Sequence, residues 1–337
     1  MAGERSGPGR QPPPPLARRD LLRLAAVAPA LLVAGCDIRL QDDAPDLPLL
    51  QRKSVPDEAT LVAAVRLTTA LGQLAGRVPQ PPAAVAALAG LHQTQASVLT
   101  GRLTAQGVPQ HVINVPAATP APTSTAPATD PPTPRPTAAV SAPPVSTAAD
   151  LTAGEVAAVT AMLPLLGPVT AANRAVLVSV AAACATAAEQ LGATLTWPAA
   201  DPLPPAAAEP LLADTRAAVY AMQVVAAQTG GEERARALTT RNQLDARQAQ
   251  LLALAGASAP LAPLGYALPF PVTDADAAAR LASQVLTTLV AGGLRPLDAV
   301  AAGSTAVVPL ARSLAEAAAI GRPWGVAPVP FPGLAYP

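Results

Sequence analysis

A proline-rich segment, residues 115–148, is the feature that most constrains how the chain can fold. Ten of its 34 residues are proline, and most of the others are alanine and threonine. A segment with so few large apolar groups cannot offset the entropy lost when its backbone becomes ordered. We therefore expect an extended, solvated linker there, with the folded parts of the chain on either side of it.

Outside this linker, apolar residues recur at spacings of three and four, which predicts α-helices. Half of the 337 residues are apolar but only seven are aromatic, so the core must consist of Ala, Leu and Val. Prolines and glycines separate the periodic stretches. Eight helices are predicted, at about 57–78, 83–107, 151–166, 169–191, 205–229, 232–255, 274–294 and 296–320, and Pro309 is expected to kink the last one.

The order of these helices is a pair, a long connection and another pair, and it occurs once on each side of Trp197. A four-helix bundle whose second and third helices are joined by one long crossover has the ferritin-like topology. We predict an all-α protein with two tandem ferritin-like bundles, at residues 57–192 and 203–337. The alternative is one irregular all-helical domain preceded by a loosely attached helical pair.

The first 35 residues have the layout of an export signal. The pair Arg18 and Arg19 precedes an apolar run that ends in small residues before Cys36. The uncharged run, residues 24–35, is about a dozen residues long, whereas a transmembrane helix needs about 20. We predict a signal peptide at residues 1–35 and a flexible tether at residues 36–56.

Two motifs in this region resemble known bacterial signals. R-R-D-L-L-R at residues 18–23 resembles the twin-arginine consensus, and L-V-A-G-C at residues 32–36 resembles the lipobox of lipoproteins. The first resemblance implies that Arg18 and Arg19 direct export of the folded protein. The second implies that the Cys36 thiol carries a diacylglycerol, which would anchor the protein to the outer face of the cell membrane.

The charge of the chain argues against nucleic acid as a partner. The signal holds five of the 22 basic residues and two of the 22 acidic ones, which leaves a net charge of about −3 on the mature chain. No basic cluster is present that could bind a phosphate backbone.

Three motifs in the second half occur in a characteristic order. They are T-R-A-A-V-Y at residues 215–220, G-Y-A-L-P-F-P-V at 265–272, and Trp324 followed by P-F-P-G-L at 330–334. Together they resemble a ferritin-like domain family of unknown function carried by actinobacterial proteins, many of them lipoproteins. The resemblance covers residues 203–334 and implies a fold and a cellular setting, but no reaction.

The ligands of a ferritin-type di-iron centre are not recognisable. Such a centre commonly uses a Glu from each of two helices and Glu-x-x-His from the other two. The chain contains no Glu-x-x-His. Thr215 and Arg216 stand where the resembled family commonly has Glu-His, and Gln284 stands where a carboxylate would be sought. We predict no metal site, no cofactor and no catalytic residue.

The remaining chemically interesting side chains have simpler interpretations. His92 is expected to be hydrogen-bonded or solvent-facing rather than a ligand, and His111 to be exposed. Cys184 has no disulfide partner if Cys36 carries lipid, and its apolar neighbours predict a small buried residue rather than a reactive thiol.

Two polar patterns on helices are interpreted as local structure. Thr152 and Glu155 have the spacing of a capping box at a helix start. Arg241, Asp245 and Arg247 offer an ion pair one turn apart on a solvated helix face.

These observations predict a structural or binding protein of the cell envelope that lacks di-iron ligands and holds a partner in the groove between bundles or on its proline-rich tail. The alternative is a metal-dependent ferritin-like oxidase or metal store with unrecognised ligands. The sequence leaves the partner and the oligomeric state open.

Overall fold

The computed structural model describes residues 52–114 and 146–335, and within these ranges it contains helices and no strand. The described residues from Ser54 onward belong to one compact unit. The predicted all-α class is confirmed. Three predicted segments lie outside the described residues, so what was predicted for them stays a prediction. They are the signal peptide with Arg18 and Arg19, the tether with Cys36 except for its last residues, and linker residues 115–145.

Nine α-helices form the described part of the chain. They are α1 Glu58–Gly76, α2 Ala83–Ala105, α3 Gln110–Ile113, α4 Ala148–Met162, α5 Ala171–Gln190, α6 Pro205–Gln228, α7 Gly231–Ala255, α8 Ala275–Ala291 and α9 Val307–Gly321. Short 3₁₀ turns lie at Leu163–Leu165, Gly256–Ser258, Arg295–Ala299 and Arg322–Trp324. The eight long helices match the eight predicted ones in order, and α3 is an additional single turn.

Helices α1, α2, α4 and α5 form a first group, in which α1 packs along α2 and α4, and α4 packs along α5. Gly154 allows α4 to lie close to α1. A Cβ at this glycine would come within 3.0 Å of Leu74 Cδ1 and 3.2 Å of Leu71 Cδ2. The adjacent residue, Glu155, is fully buried.

The start of α4 corrects the predicted capping box. Thr147 is the N-cap, and its side chain accepts a hydrogen bond from the Asp150 amide while the Asp150 carboxylate accepts one from the Thr147 amide. Thr152 instead lies inside the helix, where its hydroxyl donates to the Ala148 carbonyl. Residues 147 and 148, predicted as the end of the linker, therefore belong to the start of α4.

Helices α6 to α9 form a second group, in which α6 packs along α7 and α8, and α8 packs along α9. The last helix begins at Val307 rather than at residue 296, because Arg295–Ala299 forms a 3₁₀ turn. Pro309 consequently lies in the first turn of α9, where a helix has no partner for the missing N–H. The prediction that Pro309 kinks a longer helix is wrong.

The two groups share an interface, because α5 packs along α9. Arg174 Nη1 donates to the Val300 carbonyl at 2.7 Å, and Ser179 Oγ donates to the Pro332 carbonyl at 2.7 Å. Helix α5 is buried along almost its whole length. Both groups therefore contribute to one apolar core, and a division into two ferritin-like bundles stays a prediction.

Four described helical segments are long and apolar enough to cross a membrane by length and composition. They are Glu58–Gly76, Ala148–Leu165, Ala171–Gln190 and Ala275–Ala299. The most enclosed is Ala171–Gln190, whose most apolar stretch is 83% buried by the rest of the protein. Packing in the interior accounts for the apolar composition of that helix.

Candidate functional site

Three chemically reactive side chains meet inside the first helix group. His92 comes from α2, Glu155 from α4 and Cys184 from α5, and all three are fully buried. One ring nitrogen of His92, one carboxylate oxygen of Glu155 and Sγ of Cys184 lie within 4.8 Å of one another. We refer to these three residues as the His-Glu-Cys cluster.

A chain of hydrogen bonds fixes the orientation of the His92 ring. The Gln95 amide nitrogen donates to the Pro330 carbonyl at 2.7 Å, so its amide oxygen faces His92. His92 Nδ1 lies 2.9 Å from that oxygen and must donate to it. The other ring nitrogen, Nε2, faces Glu155 Oε1 and lies 2.6 Å from it, within hydrogen-bond distance.

The second carboxylate oxygen of Glu155, Oε2, is buried and makes no well-formed hydrogen bond with a described residue. The Cys184 thiol also hydrogen-bonds to the Glu155 side chain. Burial raises the pKa of that thiol well above its usual value, and the charge of Glu155 and this hydrogen bond raise it further. The thiol and the carboxylate therefore interact directly.

The predictions for single residues are confirmed, but their arrangement in space was not predicted. His92 is hydrogen-bonded at both nitrogens, His111 is exposed, and Cys184 is a buried free thiol, as expected. The convergence of His92 and Cys184 on Glu155 was missed. A signal was present, because Glu155 falls on the same helical face as the buried residues Leu151, Ala158, Val159 and Met162.

A second buried polar group lies in the interior of the other helix group. Arg247 is only 6% exposed, so the prediction that it lies on a solvated face is wrong. Its guanidinium donates to the Ser313 carbonyl and hydroxyl, both at 2.8 Å, and to Thr215 Oγ1 at 3.3 Å. Burial lowers the pKa of Arg247, although the carboxylates of Glu316 and Asp214 oppose this shift.

The three positions compared with ferritin ligands lie in different surroundings. Thr215 is fully buried and faces the Arg247 guanidinium. Arg216 donates from its side chain to the Pro260 carbonyl at 2.6 Å, while Gln284 is exposed. Of these three residues, only Thr215 is buried in the interior. The predicted ion pair between Arg241 and Asp245 is present, at 3.1 Å.

The C-terminal motif residues hold the tail of the chain against both groups. Trp324 Nε1 donates to Thr240 Oγ1 at 2.9 Å, and the Arg236 guanidinium lies 5.5 Å from the Trp324 ring centroid. Phe331 is 2% exposed. The segment thus covers the core and places the Pro330 carbonyl against Gln95.

An apolar groove of about 570 Å³ runs between this tail, α2 and α8. Its lining residues carry no charge; they are Thr94, Thr287, Val290, Ala291, Gly325, Val326, Ala327, Val329, Pro330, Phe331, Gly333 and Leu334. We refer to it as the tail groove. Its walls come from both helix groups.

A domain of unknown function, DUF4439, is found at residues 206–336. The DUF4439 region coincides closely with the stretch for which the motifs indicated a domain family of unknown function, so that expectation is confirmed at this level. The tail groove is formed largely by the DUF4439 region, whereas His92, Glu155 and Cys184 precede it. Comparison with curated proteins and with solved structures gave no match.

Proposed function

We propose that this protein is an extracytoplasmic, lipid-anchored, ferritin-like binding protein of the cell envelope, and that the tail groove is its ligand site. The twin-arginine pattern at Arg18 and Arg19 and the lipobox before Cys36 support the export and the anchor. The order of pair, long connection and pair in each helix group supports the ferritin-like topology of the two bundles.

The observation that carries the binding function is the size and chemistry of the tail groove. A volume of about 570 Å³ falls within the range of about 300 to 1,000 Å³ typical of ligand sites. The lining is apolar except for the hydroxyls of Thr94 and Thr287 and for backbone groups. An elongated uncharged molecule with an acyl chain fits this lining, and a membrane anchor would hold the groove near such molecules.

The oxidase alternative receives less support from the arrangement of side chains. A ferritin-type di-iron centre needs several carboxylates and imidazoles that converge inside one bundle. The interior beside Thr215 holds the positively charged Arg247, which would repel a metal ion. The His-Glu-Cys cluster contributes one carboxylate and one imidazole, which is too few for two irons.

Binding can be tested with the Cys36→Ala protein and an uncharged dodecanoyl ester of an environment-sensitive fluorophore. Thr287 lines the groove on α8, and Thr288 is the next residue but does not line it. Both are exposed, and both hydroxyls donate to a carbonyl one turn earlier. Thr287→Glu should weaken saturable probe binding at least tenfold, since it places a charge in the groove, whereas Thr288→Glu should not.

Two outcomes of this titration would contradict the proposed ligand site. The proposal is refuted if the Cys36→Ala parent protein shows no saturable binding. Equal losses in the two variants would also refute it, because they would place the ligand elsewhere. Circular dichroism of each variant verifies that the helical content is unchanged.

A further inference from the structure

We propose that the His-Glu-Cys cluster is a binding site for a single divalent cation of the Zn²⁺ type, held in the interior of the first helix group. This site is independent of the tail groove and of the proposed binding function. It is also distinct from a di-iron centre, because it offers one donor from each of three helices.

The donor types select the metal class. An imidazole nitrogen, a carboxylate oxygen and a thiolate sulfur are the three ligand types that Zn²⁺ accepts together. The thiolate disfavours Mg²⁺ and Ca²⁺, which prefer oxygen ligands, and the carboxylate disfavours Cu⁺, which prefers soft ligands. A Zn²⁺ ion bound by Glu155, the Cys184 thiolate and neutral His92 would also have no net charge, which removes the main obstacle to burial.

The distances between the three ligand atoms are close to those in a tetrahedral metal site. Bonds of about 2.0 Å to nitrogen and oxygen and about 2.3 Å to sulfur place tetrahedral ligand atoms about 3.3 to 3.5 Å apart. In the structure, the His92 and Glu155 atoms are 2.6 Å apart and all three ligand atoms lie within 4.8 Å. A shift of about an ångström, which side-chain rotation can supply, would therefore form the site.

The surroundings of the cluster have the features of a metal site. A metal-bound histidine usually donates its other ring N–H to a carbonyl or carboxylate, which aims the ligating nitrogen. Gln95 accepts that hydrogen bond from His92 Nδ1 and is itself held by the Pro330 carbonyl. Glu155 Oε2 makes no well-formed hydrogen bond, so the carboxylate can turn toward a cation without losing one at this atom. The hydrogen bonds of Gln95 are independent of the proximity of the three side chains.

The test uses the Cys36→Ala protein, in which Cys184 is the only thiol. The protein is unfolded with chelator and refolded with Zn²⁺, Co²⁺ or Mg²⁺, because a fully buried site is loaded most readily as the fold forms. We expect one Zn²⁺ per chain after desalting and a thiolate-to-Co²⁺ charge-transfer band in the near ultraviolet. The Zn²⁺ protein should melt at a higher temperature than the chelated one, and Mg²⁺ should have no such effect.

Single substitutions identify which side chains bind the metal ion. Cys184→Ser should abolish the charge-transfer band, and Glu155→Gln should lower Zn²⁺ affinity at least tenfold. His111→Ala removes the other histidine of the chain, which is exposed, and should change neither measurement. If a buried variant fails to fold, the Co²⁺ band of the parent protein still decides, since no other thiol can produce it.

Two results would overturn the proposal. One is a parent protein that refolds to its full helical content but retains no Zn²⁺ and shows no thiolate band; the cluster would then be a hydrogen-bonded structural group only. The other is Zn²⁺ retention that survives Cys184→Ser and is lost in His111→Ala, which would place the ion at the surface.

Discussion

Replacing Arg247 with alanine tests whether the second helix group is stabilised by the hydrogen bonds of a buried guanidinium. Arg247 joins α7 to α6 and α9 through Thr215 and Ser313. Hydrogen bonds that involve a charged group are worth about 1.5 to 3 kcal/mol each. Removal also ends the cost of burying a charge, and water can enter the adjoining groove of about 430 Å³.

We expect a net loss of about 2 to 3 kcal/mol in the free energy of unfolding, because these hydrogen bonds outweigh the relief of desolvation. For a chain of this size, such a loss lowers the melting temperature by about 4 to 10 °C. Urea unfolding monitored by circular dichroism gives the free energy directly, and calorimetry gives the melting temperature.

A matched control lies on the same helix. The Arg241 side chain is 39% exposed and pairs with Asp245 one turn away, so Arg241→Ala should cost less than about 0.5 kcal/mol. Arg247→Met separates packing from charge, since it keeps much of the volume without the donors. The reasoning is refuted if Arg247→Ala is no more destabilising than Arg241→Ala, or if Arg247→Met is as stable as the parent protein.

Three further predictions concern the export signal and the two cysteines. The double variant Arg18→Lys and Arg19→Lys should leave the precursor in the cytoplasm, because the paired guanidinium groups are the proposed signal; normal membrane fractionation would contradict this. Cys36→Ala should abolish lipid attachment and membrane retention, as measured by labelling with a radioactive fatty acid. Cys184 in the folded Cys36→Ala protein should react very slowly with a thiol reagent at neutral pH and fully after denaturation, because burial raises its pKa. Rapid reaction of the folded protein would show that the thiol is accessible.

The helices were predictable because each depends on periodicity within one short stretch. The start of α9 was not, because the apolar pattern continues through the 3₁₀ turn at Arg295–Ala299 and the loop after it, so periodicity alone does not reveal the break. The capping box was misplaced by five residues, since Thr147 and Asp150 stand at the edge of a segment interpreted as linker.

The candidate sites were harder to predict, because their residues are distant in sequence. His92 and Glu155 are 63 residues apart, and they meet only because α2 and α4 occupy neighbouring places in one group. Arg247 was misjudged because it was assigned to the same face as Asp245. Its spacing from the buried residues Thr240, Leu244 and Leu251 places it on the inner face of α7, and that signal was available in the sequence.

The hydrogen bonds of the C-terminal tail have a consequence for when the fold can form. Pro330 and Pro332 accept hydrogen bonds from Gln95 and Ser179, more than 150 residues earlier in the chain. Because these acceptors follow both donors in the chain, the first helix group is synthesised before the contacts that orient Gln95 and cover its core. The first helix group therefore reaches its complete set of contacts only after the tail residues have been synthesised and have packed against it.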